Sequence, residues 1–441
     1  MKPELLKGRE DSVCYNSKSE GKKMKCDSNS VSGSVSQRAC VYAGARVVLN
    51  PITDAFHLVH GPIGCAAYTW DIRGSLSSDS ENYRNSYSTD VREKDVIFGG
   101  EKKLAAAIDE IVAGNSSKLI FVYSTCIVGV IGDDIDAVCK AAENKHNIRV
   151  IPVKAPGFSG NKAVGYRAAC NAILNLMGEN NSPKVNGINI LGDFNLAGEM
   201  WIIKNYFKRI GVNVIARITG DSTSDEIKNA PTASLNIVQC AGSMHYLANQ
   251  MEEKFGIPYI NVSFLGLEDI KASLTNVAEF TKNKEVIQKT KDLIFAEEKA
   301  IEDVLAYYKK RLTGKKVAIY VGGGFKAISL IKQFREFGIE TVMVGTQTGK
   351  EEDYDIIKKI TSEGTVILDD TNPAELEKFI LEKKADILVG GVKERPLAYK
   401  LGIAFCDHNH ERKHALSGFD GAVNFAKEID LSINSPVWKF I

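Results

Sequence analysis

From about residue 101 onward, short aliphatic and β-branched runs alternate with longer amphipathic stretches. The short runs have the length and composition of strands that are buried on both faces of a parallel sheet. Alternation of this kind predicts βαβ units with right-handed crossovers. The predicted strands are 118–123, 148–153, 187–191, 212–218, 235–240, 258–263, 316–321, 340–345, 365–369 and 386–391.

The stretches between these runs carry helical periodicity, as in 101–114 and 135–146. Segment 283–313 is long and charged and contains neither Gly nor Pro. It predicts a helical connector that leads into a final α/β domain. The first 35 residues are polar and rich in Ser and Lys, and they predict an irregular arm that orders against a partner.

Length and pattern together predict an α/β protein with three Rossmann-like domains, parallel sheets and a polar N-terminal arm. The arm takes residues 1–35, the first domain 36–185 and the second 186–282. The remaining range, 283–441, holds the helical connector and the C-terminal α/β domain.

Composition narrows the functional classes. The 441 residues carry a formal net charge of +1, so no overall field favours nucleic acid or a membrane surface. No apolar run has the length of a membrane span, and the N-terminus lacks the apolar core of a secretory signal. We therefore expect a cytoplasmic protein. Its nine cysteines include no CxxC pair, which argues against a disulfide framework.

Several cysteines fall where ligands bind in open α/β sheets, just past the carboxyl ends of strands. Cys126 follows the strand 118–123, and Cys240 ends a strand and opens a helix, whose N-terminal partial charge stabilises a thiolate. Cys40 and Cys65 complete the set, but the separations of 25 and 61 residues are wide. On the residues alone, these thiols are either iron–sulfur ligands gathered by the fold or separate buried side chains.

Three further stretches carry charge at strand ends. Asp133 and Asp134 precede a helix and are explained as capping residues. The segment 320–330 places three glycines before Lys326 and could cradle an anion, although it is not a P-loop. The segment 402–421 is either a ligand-binding loop or a polar loop rich in salt bridges, and its histidine spacing fits no standard zinc pattern. Its histidines are His408, His410 and His414.

Seven motifs distributed over nearly the whole chain form a specific set. They are "RAC", "HGPIGC", "STC…GDDI", "GDFNLAGEMW", "VQCAGSMHYLA", "GGFK" and "HERK…GFDG…NSPVW". With them, the chain resembles the nitrogenase component 1 superfamily, whose alpha-type chains have three α/β domains. The segment "AAYTWDIRGS", with Trp70, Asp71 and Arg73, is similar to the cofactor-assembly branch of that superfamily rather than to its catalytic chains.

The resemblance implies two metal sites. Cys40, Cys65 and Cys126 would bind a [4Fe–4S] cluster at the interface with a NifN-like beta subunit, which would supply the remaining ligand. Cys240 would hold an all-iron precursor of the iron–molybdenum cofactor by a thiolate–iron bond. Molybdenum and homocitrate would join this precursor during maturation.

The resemblance also implies the lining of the cofactor pocket. Lys162 and Lys326 match pocket positions and would supply positive charge. Either His408 or Asn409, depending on a one-residue register, corresponds to the histidine that holds the cofactor in catalytic chains. Tyr166 stands where catalytic chains usually carry a pocket histidine. No catalytic residue is assigned.

The function implied is that of the alpha-like subunit of an α2β2 scaffold for maturation of the nitrogenase cofactor. Its partners would include the nitrogenase iron protein and a donor of the cofactor precursor. The main alternative is a catalytic alpha subunit of a nitrogenase-like reductase, of the molybdenum or an alternative-metal type. Cys240 disfavours the related tetrapyrrole reductases. A generic α/β binding protein with structural cysteines would contain no iron.

Overall fold

The structure is a computed structural model that describes residues 9–17, 24, 26, 39–69, 85–115, 118–179, 183–409 and 412–439. The described strands form three sheets. All ten strands predicted from the sequence are confirmed, with ends that differ by up to two residues. The predicted branch marker Trp70, Asp71 and Arg73 lies outside the described residues, as does His410.

The N-terminal segment begins with β1 (Val13–Tyr15), which pairs antiparallel with Val366–Leu368 near the other end of the chain. Arg9 is buried and binds Glu375 through both carboxylate oxygens, each at 3.0 Å. The expectation of an irregular arm is therefore wrong for residues 9–17. This segment is ordered by its own chain, because β1 completes the edge of the C-terminal sheet.

The first sheet is parallel, in the order β3-β2-β4-β5. Two of its helices confirm the predicted ranges 101–114 and 135–146. In chain order the elements are α1 (Val41–Leu49), β2 (Ala55–His60), α2 (Ile63–Tyr68), β3 (Ser86–Ser88), α3 (Glu93–Phe98), α4 (Glu101–Gly114), β4 (Leu119–Ser124), α5 (Cys126–Ile131), α6 (Ile135–His146), β5 (Arg149–Lys154) and α7 (Lys162–Met177).

The second sheet is also parallel, in the order β7-β6-β8-β9. Its strands are short and mostly buried, as their aliphatic composition requires. In chain order the elements are β6 (Ile188–Leu191), α8 (Glu199–Ile210), β7 (Val214–Ile218), α9 (Ser224–Asn229), β8 (Leu235–Val238), α10 (Ala241–Phe255), β9 (Tyr259–Asn261) and α11 (Leu267–Phe280).

A helix of 29 residues, α12 (Lys284–Leu312), confirms the predicted connector and leads into the third sheet. That sheet has the order β1-β12-β11-β10-β13-β14, parallel except for β1. In chain order the elements are β10 (Lys316–Val321), α13 (Gly324–Glu336), β11 (Glu340–Thr346), α14 (Glu351–Ile360), β12 (Val366–Asp369), α15 (Pro373–Lys383), β13 (Ile387–Gly390), α16 (Arg395–Lys400), β14 (Ala404–Asp407) and α17 (Gly418–Ile433).

Each sheet has a point where the strand order reverses, and there the loops diverge and leave a crevice. These points lie between β2 and β4, between β6 and β8, and between β10 and β13. The segments that follow these strands carry Cys65 within α2 and Cys126 at the start of α5 in the first sheet, Cys240 in the second and Gly322 to Gly324 in the third. The topology thus places the predicted ligand residues at crevices.

Close packing of α1 against α7 determines how the first crevice is built. A Cβ at Gly44 would lie 2.3 Å from the Lys162 carbonyl oxygen, and one at Gly165 would lie 2.0 Å from that of Val41. The two helix backbones therefore touch, and α1 is buried along its whole length. This contact sets Cys40, just before α1, beside Asn161, just before α7, where the two residues form an isolated bridge.

No helix within the described ranges has both the length and the apolar character that crossing a bilayer would require.

Candidate cluster and cofactor sites

The fold brings Cys40, Cys65 and Cys126 together. Burial is the largest cause that raises the pKa of the Cys65 thiol, and its neighbours Cys126 and Cys40 raise it further. Gly157 lies between the other two thiols: a Cβ there would lie 2.9 Å from Cys126 Sγ and 3.6 Å from Cys40 Sγ. Three cysteines that are far apart in the sequence thus share one site, as the resemblance implies.

The chemistry of this site suits an iron–sulfur cluster. The Gly157 N–H donates to Cys126 Sγ at 3.1 Å. Hydrogen bonds to the sulfurs help to set the reduction potential of an iron–sulfur cluster. All three thiols are free. In the described part of the chain, no three His, Cys, Asp or Glu side chains converge closely enough to hold a single metal ion. A multi-iron cluster fits the arrangement better, because each cysteine would then bind a different iron atom.

The three-cysteine site lies at the surface. Cys126 is exposed, and Cys40 and Cys65 are half-buried. Four large apolar side chains close in sequence to the cysteines or to Gly157 are more than half exposed, and a cluster of exposed apolar side chains is typical of an interface. These side chains are Ile63 and Tyr68 on α2, Val130 on α5, and Phe158 beside Gly157.

A cavity of about 450 Å³ lies between the three sheets. Its volume is in the range of small-molecule and cofactor sites. Residues of all three regions line it, including the glycine loop 322–324 and Tyr166. Every residue predicted to contact the cofactor also lines it: Lys162, Cys240, Lys326, His408 and Asn409.

Cys240 is held at the N-terminus of α10, directly after the second sheet. Gly192 makes this position accessible: its φ is +90°, and a Cβ there would lie 2.8 Å from Cys240 Cβ. A side chain at residue 192 would therefore displace the cysteine, while glycine adopts the left-handed conformation readily. The thiol sits on the wall of the cavity.

Lys326 is a partly buried basic residue that lines the cavity. Burial lowers its pKa to about 7, and nearby Arg412 lowers it further, against smaller effects of Asp407 and Cys240. Its Nζ donates to the His408 carbonyl oxygen and lies 3.4 Å from Asn409 Oδ1. The glycine loop thus delivers a lysine to the cavity, as the sequence indicated.

Two buried acids that line the same cavity, Asp193 and Glu199, were not predicted from the sequence. Burial and the neighbouring Glu199 raise the pKa of Asp193 to about 6. Asp193 accepts a hydrogen bond from Gln239 Nε2 at 2.9 Å, and Glu199 pairs with Arg412 at 2.9 Å. Asp193 is two residues past β6, so the rule of inspecting strand ends could have found it.

Glu394 is a third acid that sequence reasoning missed. Burial raises its pKa to about 7. One carboxylate oxygen accepts from the Gly391 N–H at 2.8 Å, and the other is buried without a hydrogen-bond partner. Glu394 follows the strand β13 by four residues, which is again the strand-end signal. At neutral pH this group holds a proton much of the time and presents it at the cavity wall.

The histidine-rich loop is only partly in the site. His408 is fully buried, its ring packs edge-on against Phe425 at 5.1 Å between centroids, and neither ring nitrogen has a hydrogen-bond partner. Burial, with Lys326 and Arg412 nearby, lowers its pKa well below the ordinary value, so the ring is neutral. His414 is exposed and does not line the cavity.

Helix N-termini contribute positive partial charge to the cavity wall. Residues from the first turns of α7, α8, α10 and α13 line it. Unpaired N–H groups and the helix dipole favour anions at such positions. Together with Lys162 and Lys326, they suit an anionic ligand next to Cys240.

The two sites share a wall. Ala39 and Ala43 line the cavity, while Cys40 between them faces the other thiols. Lys162 lines the cavity, and its neighbour Asn161 forms the bridge with Cys40. The start of α1 and the start of α7 therefore separate the three-cysteine site from the cavity.

Comparison with known proteins identifies the family. The profile of "Nitrogenase component 1 type Oxidoreductase" matches residues 40–434. The chain belongs to the nitrogenase component 1 family. Two solved structures of this family, "Nitrogenase Cp1 at pH 5" and "Nitrogenase Cp1 at pH 6.5", have TM-scores of 0.90, at 31% and 30% identity. The match to each covers 98% of this chain and 96% of that chain, so the predicted fold is confirmed.

Curated members of the nitrogenase component 1 family include closer relatives. "Nitrogenase iron-molybdenum cofactor biosynthesis protein NifE" of Clostridium pasteurianum is 71% identical, over 99% of this chain and 97% of the relative. The protein of the same name from Methanosarcina barkeri is 53% identical, over 94% of this chain and 92% of the relative. Identity at this level over the full length places the chain with the cofactor-biosynthesis members.

Proposed function

We propose that this chain is the alpha-like subunit of the scaffold on which the iron–molybdenum cofactor of nitrogenase is built. The single observation that carries the proposal is the cavity, since all five residues expected to contact the cofactor line it. The relatives that share 71% and 53% of its sequence are named for the biosynthesis of that cofactor.

Cys40, Cys65 and Cys126 would hold three irons of a [4Fe–4S] cluster, and the fourth iron would take its ligand from a NifN-like beta subunit. The Gly157 N–H would stabilise the Cys126 sulfur in the bound state. When bound, this cluster supplies one-electron redox chemistry at the interface. The exposed apolar side chains around the thiols would be covered by the beta subunit, and two such pairs would form the α2β2 heterotetramer.

Cys240 would hold the cargo, an all-iron precursor of the cofactor, through a thiolate–iron bond. The helix N-termini and Lys162 and Lys326 would balance the negative charge of the cargo and of homocitrate. Molybdenum and homocitrate would enter the same cavity during maturation. The cargo is the substrate of the scaffold and leaves when the product is passed on.

Of the two candidates for a second contact with the cargo, His408 has the free ligand atoms. Its ring is neutral and buried, and both nitrogens are without hydrogen bonds. The Asn409 amide lies within 3.4 Å of Lys326 Nζ and packs against Gly391. We therefore assign the contact to His408.

The surface next to the three-cysteine site would receive the nitrogenase iron protein. The end of α3 projects Ile97 and Phe98, which are 72% and 86% exposed. This end lies beside α5, which begins with Cys126. A precursor donor would be the other transient partner. We expect all of these encounters to take place in the cytoplasm.

A catalytic nitrogenase alpha subunit is the second candidate, favoured by the likeness to the solved nitrogenase chains. Tyr166 bears on this choice, because it lines the cavity with its ring 5.7 Å from Lys162 Nζ. A tyrosine held there takes the place of the pocket histidine expected of catalytic chains. This favours assembly over substrate reduction.

The experiment is anaerobic co-purification with the beta-like partner, followed by iron and molybdenum analysis and electron paramagnetic resonance (EPR). The scaffold predicts iron without stoichiometric molybdenum, together with activation of cofactor-deficient nitrogenase once molybdenum, homocitrate and iron protein are added. Reduction of acetylene at nitrogenase rates by the complex itself would favour the catalytic candidate. A colourless complex without iron would contradict both.

A further inference from the structure

A buried histidine–aspartate pair lies behind the three-cysteine site. His60 ends β2, five residues before Cys65, and is fully buried. Its Nε2 lies 3.0 Å from Asp133 Oδ2, and its Nδ1 lies 3.0 Å from Thr89 Oγ1. Asp133 was expected to cap the following helix, but Asp134 does this by accepting from the Ala137 N–H at 3.0 Å. Asp133 therefore does not cap this helix, and its carboxylate binds His60 instead.

The pair is tightly enclosed. Asp133 also accepts from the Gly100 N–H, at 3.0 Å and 3.2 Å to its two oxygens. A Cβ at Gly100 would lie 2.6 Å from Asp133 Oδ2 and 2.9 Å from His60 Cε1. The carboxylate thus receives hydrogen bonds from a ring and from a backbone amide, and hydrogen bonds to a charged acceptor are strong.

The same histidine also holds the other end of α5. The His60 carbonyl oxygen accepts from the Thr125 N–H at 3.2 Å and from its hydroxyl at 3.1 Å. A Cβ at Gly61 would lie 2.0 Å from Thr125 Oγ1, so the segments that contain these two residues are in direct contact. Cys126 follows Thr125 as the first residue of α5, and Asp133 comes just after this six-residue helix.

The hydrogen-bond partners of His60 fix the orientation of its imidazole ring. Burial is the largest cause that lowers the pKa of His60, so the ring is neutral and has one N–H. An ionised carboxylate can only accept, so the N–H is assigned to Nε2, which donates to Asp133, and Nδ1 is left to accept from the Thr89 hydroxyl. Carboxylate–histidine pairs of this type fix ring orientation behind metal sites.

We propose that His60 and Asp133 are positioning residues for the interface cluster. By fixing both ends of α5 to the end of β2, they hold Cys126 in the place relative to Cys65 that a shared cluster requires. This inference rests on the proposed function of the three cysteines as cluster ligands. It adds that cluster retention depends on two residues that do not themselves contact iron.

The test uses the anaerobic heterotetramer with its beta-like partner. Variants Asp133→Ala, Asp133→Asn, His60→Ala and His60→Gln are compared with the native complex for the rate of iron loss to a chelator and for the EPR spectrum of the reduced cluster. The matched control is Asp109→Ala, because Asp109 accepts from His146 Nε2 at 2.6 Å in a second His–Asp pair, on the surface of the same region.

Asp133→Ala should lose iron about tenfold faster, as expected when a buried charged hydrogen-bond partner is removed, and its remaining cluster should give an altered EPR spectrum. His60→Gln should retain iron better than His60→Ala, because the Gln amide can still donate to Asp133. Asp109→Ala should match the native complex. If Asp133→Ala impairs folding, Asp133→Asn and His60→Gln carry the test.

Equal rates of iron loss and identical EPR spectra in the Asp133 variants and in Asp109→Ala would overturn the inference, while a normal cluster in the native complex would leave the proposed function standing. A fall in thermal stability of the apo complex with no change in the EPR spectrum would assign the pair a structural role only. A native complex without any iron–sulfur signal would overturn the proposed function and this inference with it.

Discussion

The three-cysteine site and the cavity differ in what this chain alone supplies. The first lies at the surface, with an exposed Cys126 and exposed apolar neighbours. The second is lined by all three regions and carries its own ionisable groups, among them the partly buried Lys326 and the buried Glu394. The same device, a crevice at the reversal point of a parallel sheet, produces both. The crevice of the first sheet carries the exposed Cys126, whereas Cys240 and the glycine loop 322–324 of the other two crevices line the cavity.

This difference explains how a single chain would keep two iron sites apart. Under the proposed function, the surface site would need a second chain to complete its set of ligands. The cavity has ionisable groups whose pKa values are shifted by burial, so under the proposed function its charge would adjust to a cargo that enters and leaves. We therefore predict a permanent cluster in one site and an exchangeable one in the other.

Loss of a surface ligand should have the largest effect. Cys65→Ala should abolish the interface cluster, because one iron would lose its thiolate, and should weaken association with the beta-like partner. The control is Cys139→Ala: Cys139 is a buried thiol whose pKa is raised to about 12 by burial. Iron analysis, EPR and the yield of heterotetramer provide the readouts. Full iron in Cys65→Ala would contradict the assignment.

Substitutions at two glycines that lie against the cysteines should each deplete a different iron site. Gly157→Ala places a Cβ 2.9 Å from Cys126 Sγ, and Gly192→Ala places one 2.8 Å from Cys240 Cβ. Overpacking of this kind costs roughly 1–3 kcal/mol, or about tenfold in occupancy of the affected site. The first variant should deplete the interface cluster and the second should deplete the precursor, as quantified by EPR.

Gly114→Ala is the control for these variants, since nothing lies within 4 Å of a Cβ at Gly114. It should leave both signals intact. If Gly157→Ala and Gly192→Ala depleted the same signal, the two sites would not be distinct.

The buried acid of the cavity should be visible in the pH dependence of stability. The pKa of Glu394 is raised from 4.5 to about 7, so the folded state binds a proton that the unfolded state releases between these values. This contribution is present below about pH 4.5 and is lost as the pH rises through about 7. At pH 8 the buried charge costs at most about 3 kcal/mol.

Glu394→Gln should therefore be more stable than the native chain at pH 8, by roughly 1–3 kcal/mol, and should lose this advantage by pH 5. Denaturant midpoints measured across this range check the prediction. Glu363→Gln changes an exposed glutamate and should show no such trend. A Glu394→Gln advantage that does not vary with pH would contradict the burial of an ionisable group.

The smallest effect on the molecule itself is expected at the surface. Phe98 is 86% exposed, so Phe98→Ala should change the stability of the complex by no more than about 0.5 kcal/mol. It should leave both iron signals unchanged and weaken binding of the iron protein, as measured by titration of the two purified proteins. Unchanged affinity would contradict the proposal that the iron protein binds at this surface.

Local pattern predicted most of the fold. The ten strands and the long connector were visible because each is a continuous run with its own composition and period. Strand β1 was not, because three residues carry little pattern and its partner lies more than 350 residues away. Strand β3 is equally short, and its pairing with β2 is set by tertiary packing.

The sites were predictable only in part. Position after a strand end indicated Cys126 and Cys240, and family motifs added Cys40 and Cys65. Convergence of the thiols depends on the contact of α1 with α7, which no local pattern encodes. The importance of Gly157 comes from its approach to two sulfurs, and that of Asp193 and Glu394 comes from burial. Both properties are consequences of the folded structure.

Cys240→Ala is the sharpest test of the proposal that one chain holds two separate iron sites. The variant, co-purified anaerobically with the beta-like partner, is analysed for iron and by EPR beside Cys170→Ala, which alters a fully buried thiol whose pKa burial raises to about 12. If the proposal is correct, Cys240→Ala loses the precursor signal and keeps the interface cluster, while Cys170→Ala keeps both. Loss of both signals in Cys240→Ala, or of neither, would contradict it.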